Sequence, residues 1–230
     1  MTPEYDPTET ALLEAALLNV PFDGWSEDTF KAAVSESGIE PVVARALFPR
    51  GALDLAISFH RRGDDEMVRR LEATDLSGMK FRDKATLAVR LRLEAVEDRE
   101  AVRRGTTLFA LPMHAADGAK LIWGTADRIW TALGDTSDDI NWYTKRATLS
   151  GVYSSTVLYW LGDDSLENQA TWAFLDRRIG DVMQIEKVKA QLRGNPLLGR
   201  VFAGPAWVLS KVKAPAGARD DLPGRQATPS

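Results

Sequence analysis

Along residues 149–160 the apolar side chains keep a helical period. Leu149, Val152, Tyr153, Thr156, Val157 and Trp160 fall at i, i+3, i+4, i+7, i+8 and i+11, a single wide stripe. Trp142 lies seven residues earlier on the same stripe. A helix that is apolar over more of its circumference than one packing face requires must be enclosed by other helices or border something apolar. The same spacing runs through the rest of the chain. Alternating patterns are short, and no Asn-Gly or Asp-Gly hairpin turn joins two of them. An all-α protein is expected.

The remaining helices are read from their punctuation. Residues 8–20 carry Leu12, Leu13, Ala16, Leu17 and Val20 at helical spacing, with Pro21 and Gly24 as the stop. Ser26 is an N-cap with Glu27 and Asp28 in the first turn, and Gly38 a C-cap. Pro41 suits a first helical position, and Pro49 ends that short helix. A fourth helix starts near Ala52. Further helices are expected over about 80–96, 101–111 and 117–133, then the apolar helix, then one carrying Trp172, Leu175, Ile179 and Val182. The Asp-rich turns at 135–139 and 163–164 read as helix caps rather than Ca²⁺ loops.

Three short helices joined by tight turns form a helix-turn-helix pattern. It resembles the N-terminal module of TetR-type repressors. The third helix, which would enter the major groove, offers one good base- or phosphate-contacting residue, Arg45, among Val, Ala, Leu and Phe. The net charge of -4 and pI near 5.4 also argue against a nucleic-acid surface.

Catalytic chemistry is hard to find. With no Cys there is no thiolate metal site, disulfide or Cys nucleophile. His60 and His114 lack metal-ligand spacing and read as ordinary surface or loop residues. Neither a Gly-rich phosphate loop nor a G-x-S-x-G elbow is present. What the chain offers instead is aromatic surface. Gly124–Val182 holds Trp130, Trp142, Trp160 and Trp172. Large aromatics at helical spacing are usually core; part of this set can also line a cavity or anchor a partner. Residues 184–213 are basic and amphipathic, with Lys187, Lys189, Arg193, Arg200, Lys211 and Lys213 against a single Glu186. Leu197, Phe202 and Trp207 give that segment the character of an interfacial membrane helix.

The segments VPFDGWSEDTF, FALPMH, GTADRIWTALGD, DDINWYTKRATLSGVYSSTVLYW and ATWAFLDRRIGDVM, in that order, resemble the coenzyme Q (ubiquinone) biosynthesis lipid-binding family. The resemblance spans roughly residues 10–190. Asn141-Trp142-Tyr143-Thr144 and Thr171-Trp172 are its most specific part. It implies a TetR-like all-α fold, a homodimer, and no catalytic residues, metal or cofactor. It implies a bound isoprenoid lipid or phospholipid, and presentation of isoprenoid quinone intermediates to the ubiquinone-pathway hydroxylase acting on demethoxyubiquinone. Carried onto this chain, the partner patch holds Asp127, Ile129, Trp142 and Tyr143, with Arg128 where the mitochondrial relatives carry an acidic residue. The lipid cavity is expected at Leu91, Leu108, Trp123, Leu149, Val152, Tyr153 and Thr156. The organisation is then a helix-turn-helix-like module (8–50), a helical lipid-binding domain (51–183), an amphipathic membrane-associating segment (184–213) and a disordered tail (214–230). No nucleic acid is expected as a partner. A ligand-sensing repressor on the same fold is the main alternative, and a small membrane-associated enzyme a weaker one. The acidic N-terminal stretch, without a basic or apolar leader pattern, suggests a cytoplasmic protein, peripheral on the inner face of a bacterial inner membrane.

Overall fold

The computed structural model describes residues 5–193, with side chains through Val182. Nine α-helices and one short 3-10 turn account for the regular structure of this part. The first three form the small module: α1 (Pro7–Asp23), α2 (Glu27–Ser37) and α3 (Pro41–Leu47). Asp6 caps α1 by accepting from the Thr8 and Glu9 amides at 2.6 and 3.3 Å. Ser26 caps α2 through the Thr29 amide at 3.1 Å. Pro21 does not stop α1 but sits inside its last turn. The end comes at Gly24, whose φ of +67° suits a residue without Cβ.

The helix α4 (Ala52–Glu72) belongs to two cores. Its start, through Leu55 and Ala56, joins Leu12, Ala16, Val20, Phe30 and Ala33 in the first. Its end, through Met67 and Leu71, joins the second, where it meets α5 (Phe81–Glu94), α7 (Ala115–Ala132), α8 (Ile140–Leu161) and α9 (Gln169–Arg193). The remaining helix, α6 (Arg99–Ala110), packs on α1 and α7, with Ala101 in the first core. The boundary at residue 50 therefore falls in the turn leading into a helix that ties both halves together.

The caps read from the Asp-rich turns are present. Asp139 accepts from the Asn141 amide at 2.8 Å, and Asp163 from the Ser165 and Thr171 amides, both at 2.8 Å. The boundary at 183/184 falls inside α9, which runs on to Arg193. Leu197, Phe202 and Trp207, with the tail 214–230, lie outside the described residues.

Leu175 is fully buried where α9 meets the second core, whereas Leu158 on α8 is 61% exposed. Leu175→Ala should lower stability by about 2–5 kcal/mol, through lost burial and the cavity left behind. Leu158→Ala should change it by no more than about 0.5 kcal/mol. Urea melts of the two variants check the assignment of faces on α8 and α9.

Candidate functional site

Between the two cores the helices leave a cavity of about 400 Å³. Trp25, Ala56 and Phe59 close it from the first core; Leu93, Ile122 and Val157 close it from the second. Small residues keep it open: Ala101, Gly105 and Ala110 on α6, and Ala115, Gly118 and Ala119 on α7. Its outer edge is formed by Ala110, Ala115, Ala119 and Leu158, all exposed, with Leu111 and Met113 exposed in the adjoining turn. The inner wall is buried, and it carries the cavity's charged and titratable side chains.

That polar wall is one connected group. Asp64 on α4 takes the Arg92 Nε hydrogen bond at 2.5 Å, and both side chains are 4% exposed. Arg92 also donates to the His60 carbonyl at 3.0 Å. Thr125 donates to Asp64 at 2.9 Å, and its oxygen lies 2.9 Å from His60 Nε2. Tyr153 faces the group, its ring centroid 6.5 Å from that of His60 and 5.9 Å from the Arg92 guanidinium. Gly63 makes the arrangement possible, because a Cβ there would stand 2.6 Å from Arg92 Nη1. Burial pushes the His60 imidazole down to about 4, helped by the Arg92 charge and opposed by Asp64. Burial also pushes the Tyr153 phenol up. At neutral pH the wall therefore combines a neutral imidazole, a neutral phenol and a paired Arg–Asp.

Of the residues expected to line the cavity, only Tyr153 does so. Leu149, Val152 and Thr156 are buried on the neighbouring face of α8, Leu149 and Val152 in the second core. The wide stripe is thus two faces: one packs, and the other presents Tyr153, Ser154, Val157 and Leu158 to the cavity. Leu91 is half-buried against the second core, two residues before the wall residue Leu93 and so on another side of α5, and Leu108 packs against Leu53, Ile57 and Leu121. His60, read as an ordinary surface or loop residue, is a wall residue instead. Its clue was Asp64 one turn later, a pairing that periodicity of apolar residues does not register.

Trp123 belongs to a separate aromatic cluster, with ring centroids 5.9 Å from Trp142 and 6.4 Å from Tyr143. Trp142 and Tyr143 meet edge-on at 4.8 Å, and all three are half-buried. Arg146 lies beneath them. Its guanidinium carbon is 4.0 Å from the Trp142 ring centroid, and it bonds Asp127 at 2.5 Å and Asp135 at 3.0 Å. Burial raises the Asp135 carboxyl, but hydrogen bonds from Lys145, Ser137 and Arg146 outweigh it and hold the group at about 2. Asp127 is 42% exposed in its side chain and stands at this surface. Ile129 does not: it is fully buried in the second core, because it shares the inward face of α7 with Thr125 and Ala126. Arg128 pairs with Asp65, which also accepts the Tyr5 hydroxyl.

On the small module, Arg45 is exposed, but its charge is already engaged. It is ion-paired with Glu27 and lies 4.3 Å over the Phe30 ring. The exposed face of α3 is Pro41, Val42, Val43 and Ala46 around it.

Residues 115–186 match the family model described as COQ9. Among curated proteins, the probable ubiquinone biosynthesis protein coq9, mitochondrial, of Dictyostelium discoideum is 30% identical, aligning 77% of this chain with 60% of its own length. The ubiquinone biosynthesis protein COQ9, mitochondrial, of Drosophila melanogaster is 31% identical over 82% of this chain and 59% of its own. The Homo sapiens protein of the same name is 29% identical over 79% and 59%. The chain thus spans about three fifths of the length of these relatives. Among solved structures, a TetR transcriptional regulator from Nitrosomonas europaea superposes with a TM-score of 0.63 at 17% identity, covering 76% of this chain and 97% of the regulator. At that identity it establishes the fold, which is all-α and TetR-like.

One expectation is corrected here. These relatives are named mitochondrial, which points to mitochondria rather than to the inner face of a bacterial inner membrane. The expectation rests on the character of ten residues, whereas a compartment is set by receptor-read addresses that leave no mark on the helical body.

Two predictions follow from the polar wall. Arg92→Met should cost about 3–5 kcal/mol by leaving Asp64 buried and unpaired, and adding Asp64→Leu should recover part of the loss. Denaturant melts of the single and double variants test this. For His60, the unfolded chain takes up a proton near the ordinary 6.5 and the folded chain only near 4. Between those values the unfolded state binds more protons, so stability is intact above pH 6.5 and falls as pH drops toward 4. At about 1.4 kcal/mol per unit, the loss from pH 7 to pH 5 is about 2 kcal/mol. It should shrink markedly in His60→Gln.

Proposed function

Because this chain is a homologue of the COQ9 ubiquinone biosynthesis proteins, we propose that it serves ubiquinone biosynthesis as a non-catalytic lipid carrier. It holds an isoprenoid quinone intermediate in the cavity between its two cores. It presents that molecule to the hydroxylase acting on demethoxyubiquinone, at a membrane surface and as a homodimer. The observation that carries this reading is the cavity itself: about 400 Å³, walled mainly by apolar and aromatic side chains, with a small polar group at its inner end. That is the form of a small-molecule site, at the low end of the roughly 300–1,000 Å³ such sites occupy. A polyprenyl chain is longer than a cavity of this size encloses, so its far end runs out past Leu158 and Met113.

A carrier rather than an enzyme is supported by the state of the wall's titratable groups. Asp64 and Arg92 are spent on each other, and His60 and Tyr153 are held neutral. A general base needs a value near the working pH, which the His60 environment moves it away from. Presentation to a protein partner is supported by the Trp123, Trp142 and Tyr143 cluster, held from beneath by Arg146; interface hot spots are enriched in such aromatics. A repressor role is disfavoured by Arg45, whose charge is engaged by Glu27, beside Val42 and Val43 on the helix that would meet DNA.

The test is complementation. Thr106 lines the cavity from α6, and its hydroxyl bonds back to the Val102 carbonyl of its own helix. Thr106→Trp should fill the space while preserving the fold, as circular dichroism would report. In cells deleted for their own homologue, the parent chain should restore ubiquinone. The variant should leave demethoxyubiquinone accumulating. Equal rescue by a well-folded Thr106→Trp protein would contradict a carrier role through this cavity. Trp142→Ala should weaken capture of the hydroxylase at least about tenfold at unchanged lipid content, since a hot-spot aromatic is worth about 2 kcal/mol or more.

A further inference from the structure

The helix α6 is fastened over its first half only. Asp98 caps it, accepting from the Glu100 and Ala101 amides at 2.8 and 3.1 Å. Trp25 Nε1 donates to the Ala101 carbonyl at 3.0 Å. Arg99 donates to the Asp163 carbonyl at 2.8 Å and to the Asn168 side chain. Arg103 donates to the Leu161 carbonyl at 2.5 Å, and Arg104 to the Pro21 carbonyl at 2.7 Å. Those three carbonyls stand at the C-terminal ends of α8 and α1. There a helix presents unpaired C=O groups and the negative end of its dipole.

The second half has no such ties. Among the described residues, no side chain from Gly105 to His114 hydrogen-bonds or ion-pairs with another helix. The Thr106 and Thr107 hydroxyls return to the Val102 and Arg103 carbonyls of α6 itself. Apolar packing holds this half, through Leu108 and Phe109 against Leu53, Ile57 and Leu121. The next polar tie along the chain is Asp117, in the first turn of α7, which accepts from Arg50 at 2.9 Å.

Two glycines bound the loose stretch, and they differ in kind. A Cβ at Gly118 would stand 2.8 Å from Phe109 Cβ, so that glycine is what lets Phe109 seat against α7. A Cβ at Gly105 would meet nothing closer than Trp25 Nε1 at 3.6 Å, an ordinary contact. Packing therefore does not require Gly105. Its effect is on the helix, since glycine in a helix interior leaves the backbone freer than alanine does. It falls just where the anchored half ends. Beyond it α6 gives the cavity Thr106, Phe109 and Ala110 as wall.

Resting on the carrier reading above, we propose that the second half of α6, with the turn to His114, is the lid of the cavity. It swings outward on Gly105 and closes when Phe109 seats on Gly118. The swing breaks no side-chain hydrogen bond or ion pair between helices. It parts only Leu108 and Phe109 from their neighbours, while the arginines hold the first half in place. The cavity is thus loaded through its α6 side rather than through the standing gap at its alanine rim.

Two variants of the full chain test this with N-phenyl-1-naphthylamine, a small uncharged fluorophore, as the probe. In Gly105→Ala the hinge stiffens. Stopped-flow entry and exit rates should both fall about fivefold, with affinity unchanged within about twofold, as the helix propensities of glycine and alanine imply. Hydrogen exchange of the ligand-free protein should slow at the amides of residues 107–109, whose i→i−4 bonds span Gly105, and not at residues 100–104. The second variant is Phe109→Cys with Gly118→Cys. The chain has no Cys, so this pair forms the single disulfide, and a shift of about 1 Å brings the two Cβ atoms to disulfide spacing. Oxidation should slow probe exchange by about tenfold or more, as a locked lid does, and reduction of the same sample should restore it. If Gly105→Ala instead weakens binding and speeds exit, Gly105 only provides space. If oxidised and reduced pairs exchange equally fast, the probe uses the standing gap. Either result overturns the lid with the carrier reading intact. If the parent chain does not bind the probe at all, the carrier reading fails and the lid with it.

Discussion

The buried pair of Asp64 and Arg92 is the contact on which the arrangement of helices around the cavity depends. Each charge is expensive to bury alone and is offset only by the other and by good hydrogen bonds. Asp64 stands on α4, Arg92 on α5 and Thr125 on α7, so meeting those bonds fixes three helices at one point. Gly63 is the steric condition for it, since any side chain there would strike the guanidinium. His60, one turn before Asp64, is drawn into the same group and held neutral by its burial there.

From that point the two cores diverge. The long helix α4 enters both, and the region between them is bordered by alanine and glycine on α6 and α7 where larger residues would have closed it. Protein interiors normally pack without voids of this size. A gap of about 400 Å³ lined by Trp25, Phe59 and Val157 leaves apolar surface without a partner, which a bound apolar molecule would supply. The same construction explains the asymmetry of the site: the fixed polar contact is deep, and the small-residue edge faces outward.

Helices and their caps were legible in the sequence, because period and punctuation are local. Ser26, Asp139 and Asp163 act as their spacing suggests. Pro21 misled, since a proline in the last turn forfeits one bond without ending the helix. The cavity was not legible. Periodicity says that a residue faces inward and is silent on which neighbour it meets, so Leu149, Val152 and Thr156 went to the core and Tyr153 to the wall. Ile129, carried over from the family resemblance, lies on the inward face of α7 and is fully buried. The lining on α6 and α7 comes from small residues, which carry almost no hydrophobic signal, and apart from Asp64 the partners of His60 lie 65 and 32 residues away in sequence. The family resemblance, by contrast, rested on runs of specific residues such as Asn141-Trp142-Tyr143-Thr144, and it agrees with the match over residues 115–186.

The central claim is that the space between the cores is a site for an apolar ligand and not a packing defect. Native mass spectrometry of the full chain, purified without detergent from cells that make ubiquinone, tests it most directly. The account predicts a folded protein carrying one lipid mass per chain, released by organic extraction and identifiable as an isoprenoid ring compound. A protein that appears only at its bare sequence mass, and stays so after incubation with such compounds, would contradict it.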